Sequence, residues 1–480
     1  MRVLSGLLLL LLSGGAAMAQ DQAERPAGTA LAKTAAATAA AAAPAQAPQK
    51  TFNAERFTLQ NGMEVVVVPN HRAPVVTHMI WYKVGAADEK PGLSGMAHYF
   101  EHLMFKGTEK MAPGDYSKRV RVLGGNDNAF TGQDFTAYYA SVAVDNLPEI
   151  MRMEADRMQH LAPPADHFAS EKAVVIEERR ERTENDPRAR FGEQLQSLLY
   201  VNHPYATPVI GWMDEISQYE WPDVKQFYDT WYAPNNAVLI VSGDMTAARL
   251  RPLAEEIYGS IAPKDTPPRK RPAVPPAIAP ATLSMSHASV HQSIWQSIAL
   301  APSAAQNKKD SLALQVLEEV LDGGPTTRLY DSLVVRQKKA VSIGFSYNGT
   351  ALDYGRVSLY GVPADHVDLR ELESATRAEI RNVIEMGVTQ SEVNEAIARL
   401  RDAAVFARDS LSGPANIIGY GLTTGSTLDD IENWPADIAA VTPQDVQRVA
   451  ATYLDPANPW IRPPVTGYLT PDAAKKGDNE

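Results

Sequence analysis

Gly95-Met96-Ala97-His98-Tyr99-Phe100-Glu101-His102-Leu103-Met104-Phe105-Lys106-Gly107 decides how this chain is read. At about 3.6 residues per turn, His98 and His102 fall on one face of a helix, where both imidazoles can converge on one ion. Glu101 points to nearly the same side. With ten histidines in 480 residues, this His-x-x-Glu-His order arises by chance in roughly one such chain in a hundred, on independent draws from the composition. A catalytic zinc takes three protein ligands and keeps one position for water, so a third ligand is needed from elsewhere.

A second helix is predicted over Glu171-Lys172-Ala173-Val174-Val175-Ile176-Glu177-Glu178-Arg179-Arg180, with Ala173, Val174 and Val175 giving it a buried side. Glu171 and Glu178 are two turns apart and share a face, whereas Glu177 is turned about 100° away. The chain has no cysteine, so thiolate ligands and disulfides are excluded and the donors must be His and carboxylate.

These residues resemble the pitrilysin and insulinase-like zinc peptidases, and among them the shorter two-domain bacterial members related to mitochondrial processing peptidase. The resemblance covers approximately Phe52 to Pro471. It includes Leu59-Gln60-Asn61-Gly62-Met63-Glu64-Val65, Gly92-Leu93-Ser94-Gly95, Phe105-Lys106-Gly107-Thr108, Asn128-Ala129-Phe130-Thr131, His203-Pro204-Tyr205 and Tyr232-Ala233-Pro234-Asn235-Asn236. It implies an α+β protein of two homologous α/β-sandwich domains, each a mixed, mainly antiparallel sheet packed with helices, with a metal site in the N-terminal domain alone. It further implies that His98, His102 and Glu178 hold one Zn2+ per chain, that Glu101 is the general base, and that Glu171 supports a ligand from behind. The expected activity is that of a zinc metalloendopeptidase acting on peptides or unfolded segments. The competing expectation is a catalytically silent or partner-dependent structural subunit of a peptidase-like assembly.

Composition fits a globular chain of two or more domains, with 45% hydrophobic and 21% charged residues. The net charge of -12 argues against nucleic acid and offers no polybasic patch for anionic lipid. Arg2, the apolar run Val3 to Leu12 and Ala17-Met18-Ala19 read as a secretory signal (1–19) cleaved after Ala19, too short in its apolar core to span a membrane. A periplasmic or secreted location is expected, without stable membrane insertion.

Residues 20–50, rich in Ala and Pro, are expected to be a disordered spacer. A first domain is expected over 51–262, a proline-rich linker over 263–280, a second domain over 281–471 and a polar tail over 472–480. Strands are predicted for Phe57 to Pro69, broken by the turn Asn61-Gly62, and for Val75 to Val84. The stretch from Asn128 to Tyr139 reads as strand with turns. If it lies at a sheet edge beside the metal, Asn128, Ala129 and Phe130 can take up an extended peptide by main-chain pairing.

The second half carries a faint repeat of the first. Setting Gly324 against Gly107 places Gln315 at the position of His98 and Glu319 at that of His102, which removes the metal ligands there. Active relatives carry an Arg and a Tyr seven residues apart after an Arg-Leu-aromatic segment. Here Arg328-Leu329-Tyr330 is followed by Val334 and Val341 at those positions, with Arg336 and Tyr347 as neighbours. The missing pair leaves two expectations, a homodimer or heterodimer in which a homologous subunit supplies it, which is the one favoured, or cleavage with weaker substrate anchoring.

Overall fold

The computed structural model describes residues 50–277, 279–458 and 462–472. The expected signal segment, nearly all of the spacer and nearly all of the polar tail lie outside them. The first half builds a six-stranded sheet from β1 (Glu55–Thr58), β2 (Glu64–Pro69), β3 (Val75–Tyr82), β4 (Asn126–Thr131), β5 (Thr136–Ala143) and β6 (Ala237–Gly243), in the order β1-β2-β6-β3-β5-β4. The second half builds a five-stranded sheet from β7 (Ala281–His287), β8 (Ile294–Pro302), β9 (Ala340–Asn348), β10 (Tyr354–Pro363) and β11 (Val465–Pro471), in the order β7-β11-β8-β10-β9. Without β1 the two orders correspond strand for strand. Each has one parallel pair, β2 with β6 and β7 with β11, among antiparallel neighbours.

Eight helices position the site and its counterpart: α1 (Met96–Leu103), α2 (Ala165–Arg179), α3 (Pro187–Leu199), α4 (Trp221–Trp231), α5 (Lys308–Asp322), α6 (Gln390–Asp409), α7 (Gly413–Thr423) and α8 (Pro443–Tyr453). In the first half α1 packs against α2 and α4, and in the second α5 packs against α6 and α8, so the helices repeat along with the strands. Gln315 on α5 accepts a hydrogen bond from Trp434 Nε1 at 3.0 Å. Glu319 forms an ion pair with Arg399 of α6 at 2.8 Å. Structural contacts therefore occupy the places that two histidines hold in the first half.

The Val/Ile-rich strands read as nearly continuous apolar runs because both faces of each sheet are covered. Every residue of β6 is buried. On one face, Val65, Ile80 and Leu239 pack with Phe100 and Tyr232. The opposite face, with Met79, Trp81 and Ile240, is covered by Ala415, Ile418 and Tyr420 of α7, a helix from the other half. In exchange, Phe191, Leu195 and Leu199 of α3 cover Ile298, Val465 and Leu469 of the second sheet. Each fully buried side chain of this size contributes about 1.5–3 kcal/mol, so the exchange binds the halves firmly. Gly419 permits the approach of α7, since a Cβ there would lie 1.9 Å from the Trp81 indole.

The proline-rich connection, helix- and strand-free among its described residues, does more than separate the halves. Its Arg271, 3% exposed, pairs with Asp88 at 2.8 Å and Asp134 of the first half and with Asp353 of the second at 2.9 Å. Arg269 reaches Asp88 at 3.1 Å and Asp134 at 3.3 Å. Removing one partner of such a buried cluster strands the others, which costs about 3–5 kcal/mol. Arg271→Met is therefore expected to lower unfolding stability by that amount in urea titration. Arg72→Met, which breaks the exposed pair with Asp409, is expected to cost less than about 1 kcal/mol. Equal losses in the two variants would remove the linker arginine from its clamping role.

Candidate active site

Helix α1 begins abruptly because its first turn is capped from outside. Glu89, which follows a 3-10 turn (Ala86–Asp88), accepts hydrogen bonds from the Gly95 and Ala97 N–H groups, both at 2.7 Å. That satisfies donors a helix start leaves open. Burial pushes the Glu89 carboxyl well above its usual range against those two bonds. Gly95 has φ +84 and lies against Gly211, leaving no room for a Cβ on either residue. Phe100 packs on Tyr228 and Tyr232, with ring centroids 5.4 and 4.5 Å away. Tyr99 donates to the Phe168 carbonyl of α2 at 2.6 Å. With that side of α1 fixed in the core, His98, Glu101 and His102 are left on the other.

Helix α2 brings Glu178 to them. Glu178 Oε2 lies 3.3 Å from His102 Nε2 and 3.8 Å from His98 Nε2. One potential ligand atom from each of the three residues falls within 4.8 Å of the others, and among the described residues this is the one such His and carboxylate group found. Glu178 Oε1 is engaged by Arg182 at 2.7 Å, from a π-helical turn (Arg180–Glu184) that extends α2. Glu177 points outward to Arg180 at 2.8 Å. Of the residues expected to form the buried side of α2, Val175 alone is buried, while Ala173 and Val174 face solvent. The inward stripe is Glu171, Val175 and Arg179, because the helix turns carboxylates toward the site instead of an apolar face toward a core.

Behind His102 stands Glu171. Its Oε1 lies 2.7 Å from His102 Nδ1, and its Oε2 lies 2.6 Å from Lys106 Nζ. Burial alone would raise the Glu171 carboxyl, but the bonds from His102 and Lys106 outweigh it and hold the group below its usual range. As an ionised carboxylate Glu171 accepts only, so His102 Nδ1 donates and its Nε2 is turned toward Glu178. Burial likewise opposes the ionised Glu178, yet His102, His98 and Arg182 hold it below the usual carboxylate range. Burial, reinforced by the neighbouring His102, lowers His98 to about 4 and keeps it neutral. For His102 burial acts downward, but the bonds to Glu171 and Glu178 prevail and raise it to about 9. Two imidazole nitrogens and one carboxylate oxygen match the three-ligand donor set of catalytic zinc sites, and a zinc ion held there would take the place of the His102 proton.

Glu101 lies beside this group. Burial raises its carboxyl above the usual value, against a hydrogen bond from Thr131. Thr131 Oγ1 donates to Glu101 Oε2 at 2.6 Å. Strand β4 is at the edge of the sheet, paired with β5 alone. The Asn128 side chain is exposed there and that of Ala129 is buried. The Phe130 side chain is committed to packing, with centroids 5.2 Å from Trp81 and 5.7 Å from Tyr420. Any role for Phe130 in taking up peptide is therefore confined to its main chain.

In the second half, Val341 is 57% exposed and Val334 packs against the core. Arg336 pairs with Asp331 at 2.8 Å, and Tyr347 is buried with its hydroxyl on the Pro302 carbonyl at 2.6 Å. Tyr347 is thus unable to replace the missing tyrosine. Sequence reasoning passed over Glu89, Lys106, Thr131 and Arg182. Thr131 was within reach, because the two-residue period of a strand puts it on the same face as Ala129. Arg182 was as well, since it stands one helical turn after Glu178, whereas Glu89 and Lys106 need contacts between elements that sequence spacing does not reveal.

The family model described as insulinase (peptidase family M16) matches residues 64–211, and the model for the peptidase M16 inactive domain matches residues 222–400. The zinc protease PqqE of Helicobacter pylori is 29% identical over 406 residues, covering 83% of this chain and 90% of that one. A crystal structure of a protease from Helicobacter pylori superposes with a TM-score of 0.79 at 27% identity, covering 87% of this chain and 99% of that one. The periplasmic protease PqqL of Escherichia coli shares the fold, with a TM-score of 0.72 at 18% identity, and this chain covers 48% of it. Similarity to named zinc proteases supports a peptidase. With the two family models together accounting for more than half of its length, the chain belongs to the insulinase-type peptidase family M16.

Proposed function

We propose that this protein is a zinc metalloendopeptidase that hydrolyses peptides or unfolded segments outside the cytoplasm. The observation that carries the reading is the convergence of His98, His102 and Glu178 beside Glu101. Zinc bound by those three residues supplies a Lewis acid and activates water near neutral pH. Glu101 accepts the proton of the attacking water and passes it to the departing amine, a task for which a carboxyl raised above its usual range by burial is suited. Glu171 and Lys106 hold the His102 ring in orientation, and Arg182 holds Glu178. The unpaired edge of β4 takes the peptide as an added strand, with Asn128 as the polar contact at its start.

In this reading residues 51–262 form the catalytic domain and 281–471 a metal-free homologue. Because Val334, Val341 and the buried Tyr347 supply no Arg and Tyr pair, a homologous subunit completes the substrate grip. The E. coli structure, of which this chain covers about half, supports a larger shell assembled from two such units. The signal-like sequence of residues 1–19 supports export. The test is hydrolysis of an unstructured peptide by the purified chain, alone and with a co-expressed homologue. Chelation is expected to abolish cleavage and zinc to restore it, with the homologue raising the rate. Cleavage that survives complete chelation would overturn the assignment.

A further inference from the structure

Glu101 has one side-chain hydrogen-bond partner among the described residues, and it is not on α1. Thr131 donates to Oε2 from the last position of β4, while no described group donates to Oε1. The two oxygens of one carboxylate are thereby made unequal. The turn after Thr131 is fixed by Gly132 N–H on the Phe135 carbonyl at 2.9 Å, and a Cβ on Gly132 would lie 2.5 Å from the Phe135 ring. Ala86 and Ala87 donate to the Gly132 and Gln133 carbonyls at 3.0 and 2.9 Å. Glu89, at the end of the same short segment, caps α1. One turn thus fixes both the strand end that carries Thr131 and the helix that carries Glu101.

We infer that Thr131 is a positioning residue whose hydroxyl pins Glu101 Oε2, leaves Oε1 for proton transfer, and ties the base to the strand that receives the peptide. The inference rests on Glu101 being the base. A residue serving the strand alone would need its β-branched shape, whereas a positioning residue needs its hydroxyl. Thr131→Val keeps the shape and Thr131→Ser keeps the hydroxyl.

The experiment measures kcat, KM, zinc content and thermal midpoint for both variants, with Glu101→Gln in the same assay. Thr131→Val is expected to lower kcat by about 10–100-fold with KM within about twofold of wild type, and Thr131→Ser to recover to within about threefold. Zinc content and thermal midpoint are expected to stay unchanged in both. Wild-type kcat in Thr131→Val, an equal loss in both variants, or a rise in KM at constant kcat would overturn the inference. If Glu101→Gln is inactive while Thr131→Val matches wild type, the positioning role alone fails. If Glu101→Gln retains activity, the assignment of the base fails with it.

Discussion

Glu101→Gln is expected to lower kcat for peptide hydrolysis by roughly 10²–10⁴-fold, the range that a well-placed general base contributes. This corresponds to about 3–5 kcal/mol of transition-state stabilisation. Gln has the same shape and its amide oxygen still accepts from Thr131 Oγ1, so the local frame survives. What disappears is the ability to take up a proton. Because Glu101 is separate from the three groups whose ligand atoms converge, zinc content is expected to remain at the wild-type level. Substrate affinity is expected to change little, since in the proposed binding mode the peptide is held by the β4 edge. A variant that loses zinc together with activity would show that Glu101 serves the metal, and one that keeps full activity would exclude it from the reaction.

The part of this site legible in the sequence is the part written in helical periodicity. His98, Glu101 and His102 share a face because α1 is a regular helix, and Glu171 and Glu178 share one because α2 is regular as well. Distances between helices are not encoded in spacing, so in the sequence the approach of Glu178 to the histidines rests on the resemblance alone. A run of consecutive apolar residues is a weaker guide than periodicity. Ala173 and Val174 read as a buried side, but α2 turns Glu171, Val175 and Arg179 inward. The contact between Thr131 and Glu101 lay between those cases, since strand alternation gives the face but not the partner. In the sequence Arg269 and Arg271 read as part of a boundary because prolines surround them. Their role depends on carboxylates far away in sequence, at Asp88, Asp134 and Asp353.

The duplicated architecture was detectable in outline from Gln315 and Glu319, and the matching strand orders account for it physically. Once a sheet has both faces covered, partly by a helix from the other half, its strand order is fixed by mutual burial. Single side chains on α5 are then free to change. Gln315 and Glu319 make a hydrogen bond to Trp434 and an ion pair to Arg399, and the fold stands there without histidines.

Adjacent glutamates on α2 allow the most direct test of the metal site. Glu178 Oε2 faces His98 and His102, whereas Glu177 is exposed and pairs with Arg180. Glu178→Gln removes an anionic donor and leaves Arg182 opposite a neutral amide. It is expected to weaken zinc binding by more than the roughly 10–100-fold that loss of a supporting hydrogen bond costs at such sites. Glu177→Gln breaks a surface pair worth less than about 1 kcal/mol and is expected to change nothing at the metal. Both variants keep the helix and differ by one position. The decisive measurement is zinc per chain, by elemental analysis after dialysis against zinc-free buffer. A single zinc is expected in wild type and in Glu177→Gln and very little in Glu178→Gln; a wild-type chain without zinc, or Glu178→Gln with as much zinc as wild type, would contradict the proposed centre.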